Sequence, residues 1–286
     1  MNTSDMGSPS DPFPITRDLT LVYGLSLTVA LIMAVASAIG LLYQTVLYPT
    51  DELLLSFAPS DGFNLVVGLP ILLGSMWLAR RGQLIGLLCW PGALFYVLYL
   101  YVPYVIGVPF NVLFLPYLVL VALSGYTLMG LVASIDGQAV RQRLAAWVPA
   151  RTSGGILLGL AILIIVRQAG LIITALTSQT PVDTLELVSW IADFAVAIPM
   201  LLVGGITLWR RQALGYVAGA GLLLGYGVLA LSVIPFFVLQ ARHAAAPLDV
   251  AGVVVVLVMT ALCLIPFAFF VRGAVRAQRA SHGGAG

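Results

Sequence analysis

The sequence predicts an all-α transmembrane protein, an eight-helix bundle made of two parallel four-helix repeats, with both termini cytoplasmic. Three observations carry this expectation. Of the 286 residues, 61% are hydrophobic and only 8% are charged, and the mean hydropathy is +1.07; a soluble domain carries about 25% charged residues. The apolar residues come in runs of roughly 20, long enough to cross a hydrocarbon core of about 30 Å. The arginines gather in alternate loops.

In chain order the expected spans are 20–43, 61–79, 83–106, 110–134, 153–176, 187–209, 212–240 and 248–271. Only helices can fill such runs, because each backbone polar group must be satisfied within its own segment. Alternating strands of about ten residues, which a barrel would need, are missing. The segment 1–18 is rich in Ser, Pro and Asp and reads as a disordered cytoplasmic tail, as does 274–286 with its Ser-His-Gly-Gly run. Between the tails lie a first repeat at 19–134, a linker at 135–152 with Asp136 and three arginines, and a second repeat at 153–273. Ala36-Ser37-Ala38 resembles a signal-peptidase site, but Asp5, Asp11 and Asp18 precede it against a single Arg17, the wrong charge for a signal peptide. The first helix is therefore read as retained.

Arginine placement sets the expected orientation. With the N-terminus inside, eleven arginines fall on the cytoplasmic side: Arg17, Arg80, Arg81, Arg141, Arg143, Arg151, Arg210, Arg211, Arg272, Arg276 and Arg279. Arg242 alone falls outside, and Arg167 is embedded. That asymmetry satisfies the positive-inside rule and places the chain in the cell membrane as a multi-pass protein. The outer loops are expected to hold Asp51, Glu52, Asp61, Asp183, Glu186 and Asp249.

Composition also removes function classes. All thirteen basic residues are Arg, so neither a retinal Schiff base nor a phosphate-loop lysine can form. Cys89 and Cys263 stand singly inside apolar runs, without a Cys-x-x-Cys pair. His243 and His282 fall in a loop and a tail, which leaves no intramembrane ligand pair for haem or zinc and no base for a Ser–His protease. No cofactor, metal or catalytic set is expected, and an enzyme is disfavoured.

An internal duplication is read from VVGLPILLGSMWLARRGQLIG (66–86) laid over AVAIPMLLVGGITLWRRQALG (195–215). Pro70 meets Pro199, Asn64 meets Asp193, Gln83 meets Gln212 and Gly86 meets Gly215, all 129 residues apart, while Arg80-Arg81 meets Arg210-Arg211 with one residue of slip. Four spans per repeat give both halves the same orientation, so the symmetry axis would lie along the membrane normal. The run ARRGQLIGLLCWPGALFYVLYLYVPYVIGVPFNVLFLPY and the later WRRQALGY resemble a broad family of uncharacterised prokaryotic multi-pass membrane proteins, over about 61–125 and 190–230. The resemblance implies a membrane location and nothing about chemistry.

One polar layer stands inside the spans. At 1.5 Å per residue, Asp193 and Asn64 lie about 25 Å from the arginine face, and Arg167, Tyr96 and Tyr226 about 20–21 Å; Tyr117 falls near the same plane, with Tyr99 close by. Arg167 and Asp193 are expected to be neighbours within reach of a bidentate pair. Clamping between helices, binding a ligand and snorkelling to the headgroups are all open readings of Arg167. Tyr101 and Tyr104 read as an aromatic belt, and Asn111 as a cap or a contact. The candidate ligand-binding set is Arg167, Gln168, Asp193, Asn64, Tyr96, Tyr99, Tyr117 and Tyr226. Two functions compete: a small-solute transporter or channel using the layer as its site, and a sensor or assembly subunit in which the layer is structural. The partners expected are the lipid bilayer and a small polar solute or ion, not nucleic acid.

Overall fold

The computed structural model describes residues 13–179, 181–243, 245 and 247–283. Among these, eight helices are long and apolar enough to cross a membrane. They are α1 (Thr20–Leu42), α2 (Asp51–Arg80), α3 (Leu84–Gly107), α4 (Phe114–Ser134), α5 (Ala150–Ser178), α6 (Thr184–Trp209), α7 (Ala213–His243) and α8 (Val250–Gly283). Local chemistry fixes several starts. Thr50 Oγ1 accepts from the Leu53 amide before α2, and Asp183 Oδ2 accepts from Leu185 before α6. Asp136 caps a short helix, Gly137–Leu144, by accepting from the amides of Gln138 and Ala139. Each bond satisfies a donor that the first helical turn leaves open.

Three expectations are corrected. The second helix starts at Asp51, ten residues before the expected 61, because the Thr50 cap and the acidic first turn of Asp51 and Glu52 open it early. The seventh is broken at Ser232 and Val233, just ahead of Pro235. The eighth runs to Gly283, so 274–283 is helical rather than a disordered tail. Of the leading segment, 1–12 lies outside the described residues. Residues 13–18 are pinned, with Ile15 bridged to Ile135 and the Thr16 amide bonded to the Ser134 carbonyl at 2.9 Å.

The chain runs up and down, so ten of the arginines come to one end of the bundle with Arg17 beside them. Contacts at that end tie its parts together: Gln278 Nε2 donates to the Gly82 carbonyl at 3.1 Å, and Arg276 lies 4.7 Å over the ring of Trp147. At the opposite end His243 Nε2 stands 3.3 Å from Asp51 Oδ2. The outer surface carries Leu21, Leu31, Val66, Leu115, Val166 and Leu176, all largely exposed. So wide an apolar girdle suits lipid contact and no aqueous surface.

Packing centres on α3 and α7. Helices α2 and α4 pack on α3, with α1 against α4 and α2, and α6 and α8 pack on α7, with α5 chiefly against α6; α3 also touches α6 and α7 touches α2. The central crossing is made at Gly92 and Gly221, where a Cβ on Gly92 would lie 2.5 Å from the Gly221 carbonyl oxygen. Backbone meets backbone there because neither residue has a side chain.

Local geometry recurs at the 129-residue spacing. π-Helical turns occupy Asn64–Gly68 in α2 and Asp193–Ala197 in α6. Each stands just before a proline, Pro70 or Pro199, and the widened turn gives the ring, which has no amide to donate, its room. The turns after both helices hold a left-handed residue, Gly82 (φ 71°) and Arg211 (φ 54°). The bonds Gln83 N to Leu78 O and Gln212 N to Thr207 O match as well. Gly92 and Gly221 are themselves 129 apart.

Candidate functional site

Asp193 opens the π turn of α6 and is 7% exposed. Tyr99 of α3 donates to its Oδ1 at 2.7 Å, and Gln168 of α5 donates from Nε2 to its Oδ2. The Oε1 of Gln168 accepts from Arg167 Nη1 at 3.2 Å. Arg167 and Asp193 share no ion pair among the described residues, which corrects the expected pairing. The reason is rotational: α5 turns Gln168 into the bundle (1% exposed) and Arg167 to its outer face. Gln168 therefore relays between the guanidinium and the carboxylate.

The first half repeats this plan with uncharged groups. Asn64, fully buried, opens the π turn of α2. Tyr96 donates to its Oδ1 at 2.7 Å, and its Nδ2 donates to Ser37 Oγ at 3.1 Å and to Tyr101 Oη at 3.3 Å. In each half the first helix supplies a polar side chain, Ser37 or Gln168, to the residue that heads the π turn of the second. The tyrosines break the parallel. Tyr226, expected to mirror Tyr96, has no hydrogen-bond partner among the described residues. Tyr99 takes its place, so α3 serves both nodes and the bond from Tyr99 to Asp193 joins the halves.

Asp61 is the residue that sequence reasoning misplaced. Expected in an outer loop, it sits ten residues inside α2, 1% exposed. Tyr48 donates to its Oδ2 at 2.6 Å, and Tyr104 Oη lies 3.1 Å from its Oδ1. A Cβ on Gly40 would fall 2.1 Å from Oδ2, so α1 admits this carboxyl only because residue 40 is glycine. Tyr101 and Tyr104 are buried and hydrogen-bonded, which corrects the aromatic-belt reading. Tyr117 packs its ring 5.9 Å from Tyr101 and 5.0 Å from Tyr104, and its buried hydroxyl has no hydrogen-bond partner among the described residues. It belongs to this tyrosine cluster and not to the Asp193 node. The usable signal was one acid with tyrosines at 48, 101 and 104, but nothing in the pattern shows that residue 61 lies inside a helix and faces them. Asn111 settles as a turn residue, its Oδ1 accepting from Leu113 N at 2.7 Å.

At the end opposite the arginines, among α2, α3, α6, α7 and α8, lies a cavity of about 450 Å³. Tyr99, Tyr104, Tyr226, Ser56 and Ser60 are among the residues that line it. From Gly107 at the end of α3 to Tyr99 is eight residues, a depth of about 12 Å. Apart from Ser189 and Ser232 the remaining wall is aliphatic and aromatic, and none of its residues is charged. Of the eight candidates, Tyr99 and Tyr226 line this space. Asp193 and Gln168 stand behind Tyr99, Asn64 and Tyr96 form the separate first-half node, and Arg167 faces outward. No group of His, Cys, Asp and Glu among the described residues could hold a metal ion.

No family model, curated protein or solved structure matches this chain, so the resemblance to the prokaryotic membrane family rests on the quoted sequence runs alone.

Proposed function

We propose that the chain is a small-solute transporter or channel of the cell membrane, built from two duplicated four-helix halves with both ends cytoplasmic. The cavity between the halves would be its site. The observation that carries the reading is that cavity: its volume falls in the range of small-molecule sites, about 300–1,000 Å³, and the unpartnered hydroxyl of Tyr226 lines it beside Tyr99. With no charge on its wall, it suits an uncharged solute, largely apolar with one or two hydrogen-bonding groups. The duplication is supported by the π turns, left-handed turn residues and central glycines that recur 129 residues apart. The orientation is supported by the gathering of arginines at one end.

A thermal-shift screen of the purified chain against ions and metabolites tests the site, because a ligand bound to the folded state raises its melting temperature. The hit should lose its shift in Tyr226→Phe, whose own melting temperature should stay put since that hydroxyl has no hydrogen-bond partner among the described residues. It should also cross proteoliposome membranes. No hit at millimolar concentration would sink the proposal.

That outcome would favour a sensor or assembly subunit with a structural polar layer. One observation already favours it: the hydrogen-bonding groups of Asn64 are engaged inside the bundle, and both carboxylate oxygens of Asp193 have donors there.

A further inference from the structure

Tyr104 Oη carries one proton and stands between two acceptors. It is 3.0 Å from the Phe57 carbonyl oxygen and 3.1 Å from Asp61 Oδ1. An ionised carboxylate only accepts hydrogen bonds, as does a carbonyl. One of the two contacts would then lack a proton. A proton on Oδ1 completes the set: Asp61 donates to Tyr104, Tyr104 donates to Phe57, and Tyr48 donates to Oδ2.

The surroundings point the same way. The groups facing the carboxyl are Ser37 from α1, Tyr48 from the link into α2, Tyr96, Tyr101 and Tyr104 from α3, and Tyr117 from α4. All are hydroxyls, and on α2 itself the polar neighbours along the helix are Ser60, whose hydroxyl donates to the Ser56 carbonyl, and the amide of Asn64. Among the described residues no cation pairs with Asp61. A buried carboxylate without a cation is strongly disfavoured against its neutral form. Asp193 differs, since it receives two donors, and one of them is itself bonded to an arginine.

We propose that Asp61 is a proton-binding site, its side chain carrying a proton on Oδ1 and exchanging it with the cavity through Tyr104, which lines the cavity wall. On release, the Tyr104 hydroxyl turns from Phe57 to water in the cavity, passes its proton there and takes the one from Asp61. The carboxylate left behind accepts from Tyr48 and from Tyr104, whose new proton lies on the Asp61 side. No bond between heavy atoms is made or broken. The cavity serves here only as a route for the proton, so the site stands whether or not a solute binds there.

Infrared difference spectroscopy on the full chain in lipid vesicles tests this, because a carboxylic acid has a C=O stretch that a carboxylate lacks. At neutral pH the wild type should show one such band that is absent in Asp61→Asn and kept in Asp193→Asn. The band should shift on transfer to D2O, at least tenfold more slowly in Tyr104→Phe. An Asp61-dependent band that is missing at neutral pH overturns the proton site. Equal exchange in Tyr104→Phe overturns the route. Asp61→Asn should fold, since its amide can donate to Tyr104 as the acid does. Should it fail to fold, wild-type chain labelled with 13C at the aspartate carboxyls decides instead: one protonated carboxyl is expected, and none refutes the proposal.

Discussion

Adding a single methyl group at the central crossing should separate the two halves. In Gly92→Ala the new Cβ would lie 2.5 Å from the Gly221 carbonyl oxygen, where ordinary contact begins at 3.4 Å, an overlap of about 0.9 Å. The atoms it meets are main chain and have no rotamer to escape into, so α3 and α7 must move apart by a comparable amount. Overpacking of this kind costs about 1–3 kcal/mol. Alanine recovers roughly 0.5–1 kcal/mol of helix propensity, leaving a net loss of up to about 2 kcal/mol. Gly221→Ala should cost less, since its nearest contact is 3.0 Å, and Gly159→Ala, with nothing within 4 Å, should cost nothing. Thermal unfolding in one detergent, followed by circular dichroism, ranks the three. Equal melting temperatures for Gly92→Ala and Gly159→Ala would refute the backbone-to-backbone crossing.

Two further predictions concern the polar relay and the turns. Gln168→Leu strips one oxygen of Asp193 of its donor in a buried site and should cost about 1–3 kcal/mol, whereas Arg167→Ala at the outer face should cost under about 1 kcal/mol. Melting temperatures in the reverse order would show that Arg167, not Gln168, holds the carboxylate. Gly82→Ala should lose roughly 1–2 kcal/mol through left-handed backbone strain alone, since no atom lies within 4 Å of its Cβ position. Arg211→Gly relieves the same strain and should not lower the melting temperature; a clear drop would mean that the Arg211 side chain does more for the fold than its backbone costs.

The eight helices were legible because hydropathy reports them directly. The start of α2 was not, since Asp51, Glu52, Ser56, Ser60 and Asp61 dilute the run that opens it. Whether such residues form a loop or a buried helix depends on partners that come from α1, α3 and the link at Tyr48. Arg167 and Gln168 show the same limit at one residue's resolution. Both are polar and adjacent, and the sequence alone does not say which of them α5 turns inward. The π turns left only an indirect trace, a proline six residues after a polar side chain in each half. Spacing did bring Asn64, Tyr96, Asp193, Tyr99 and Gln168 into one short list. It could not show that α3 supplies the tyrosine for both nodes.

The glycine crossing also has a mechanical meaning. Interlocked side chains fix the angle between two helices, because changing it means unpicking them. Main chain against main chain at Gly92 and Gly221 has little to unpick, so the contact is expected to act as a fulcrum on which one half can roll over the other. Tyr99 lies seven residues along α3 from it, about 10 Å out on that arm. A small roll at the glycines would then become a change of width at the cavity. Spin labels on α2 and α6 at the open end should report a broad or divided distance distribution, and a single narrow one would show the halves to be locked.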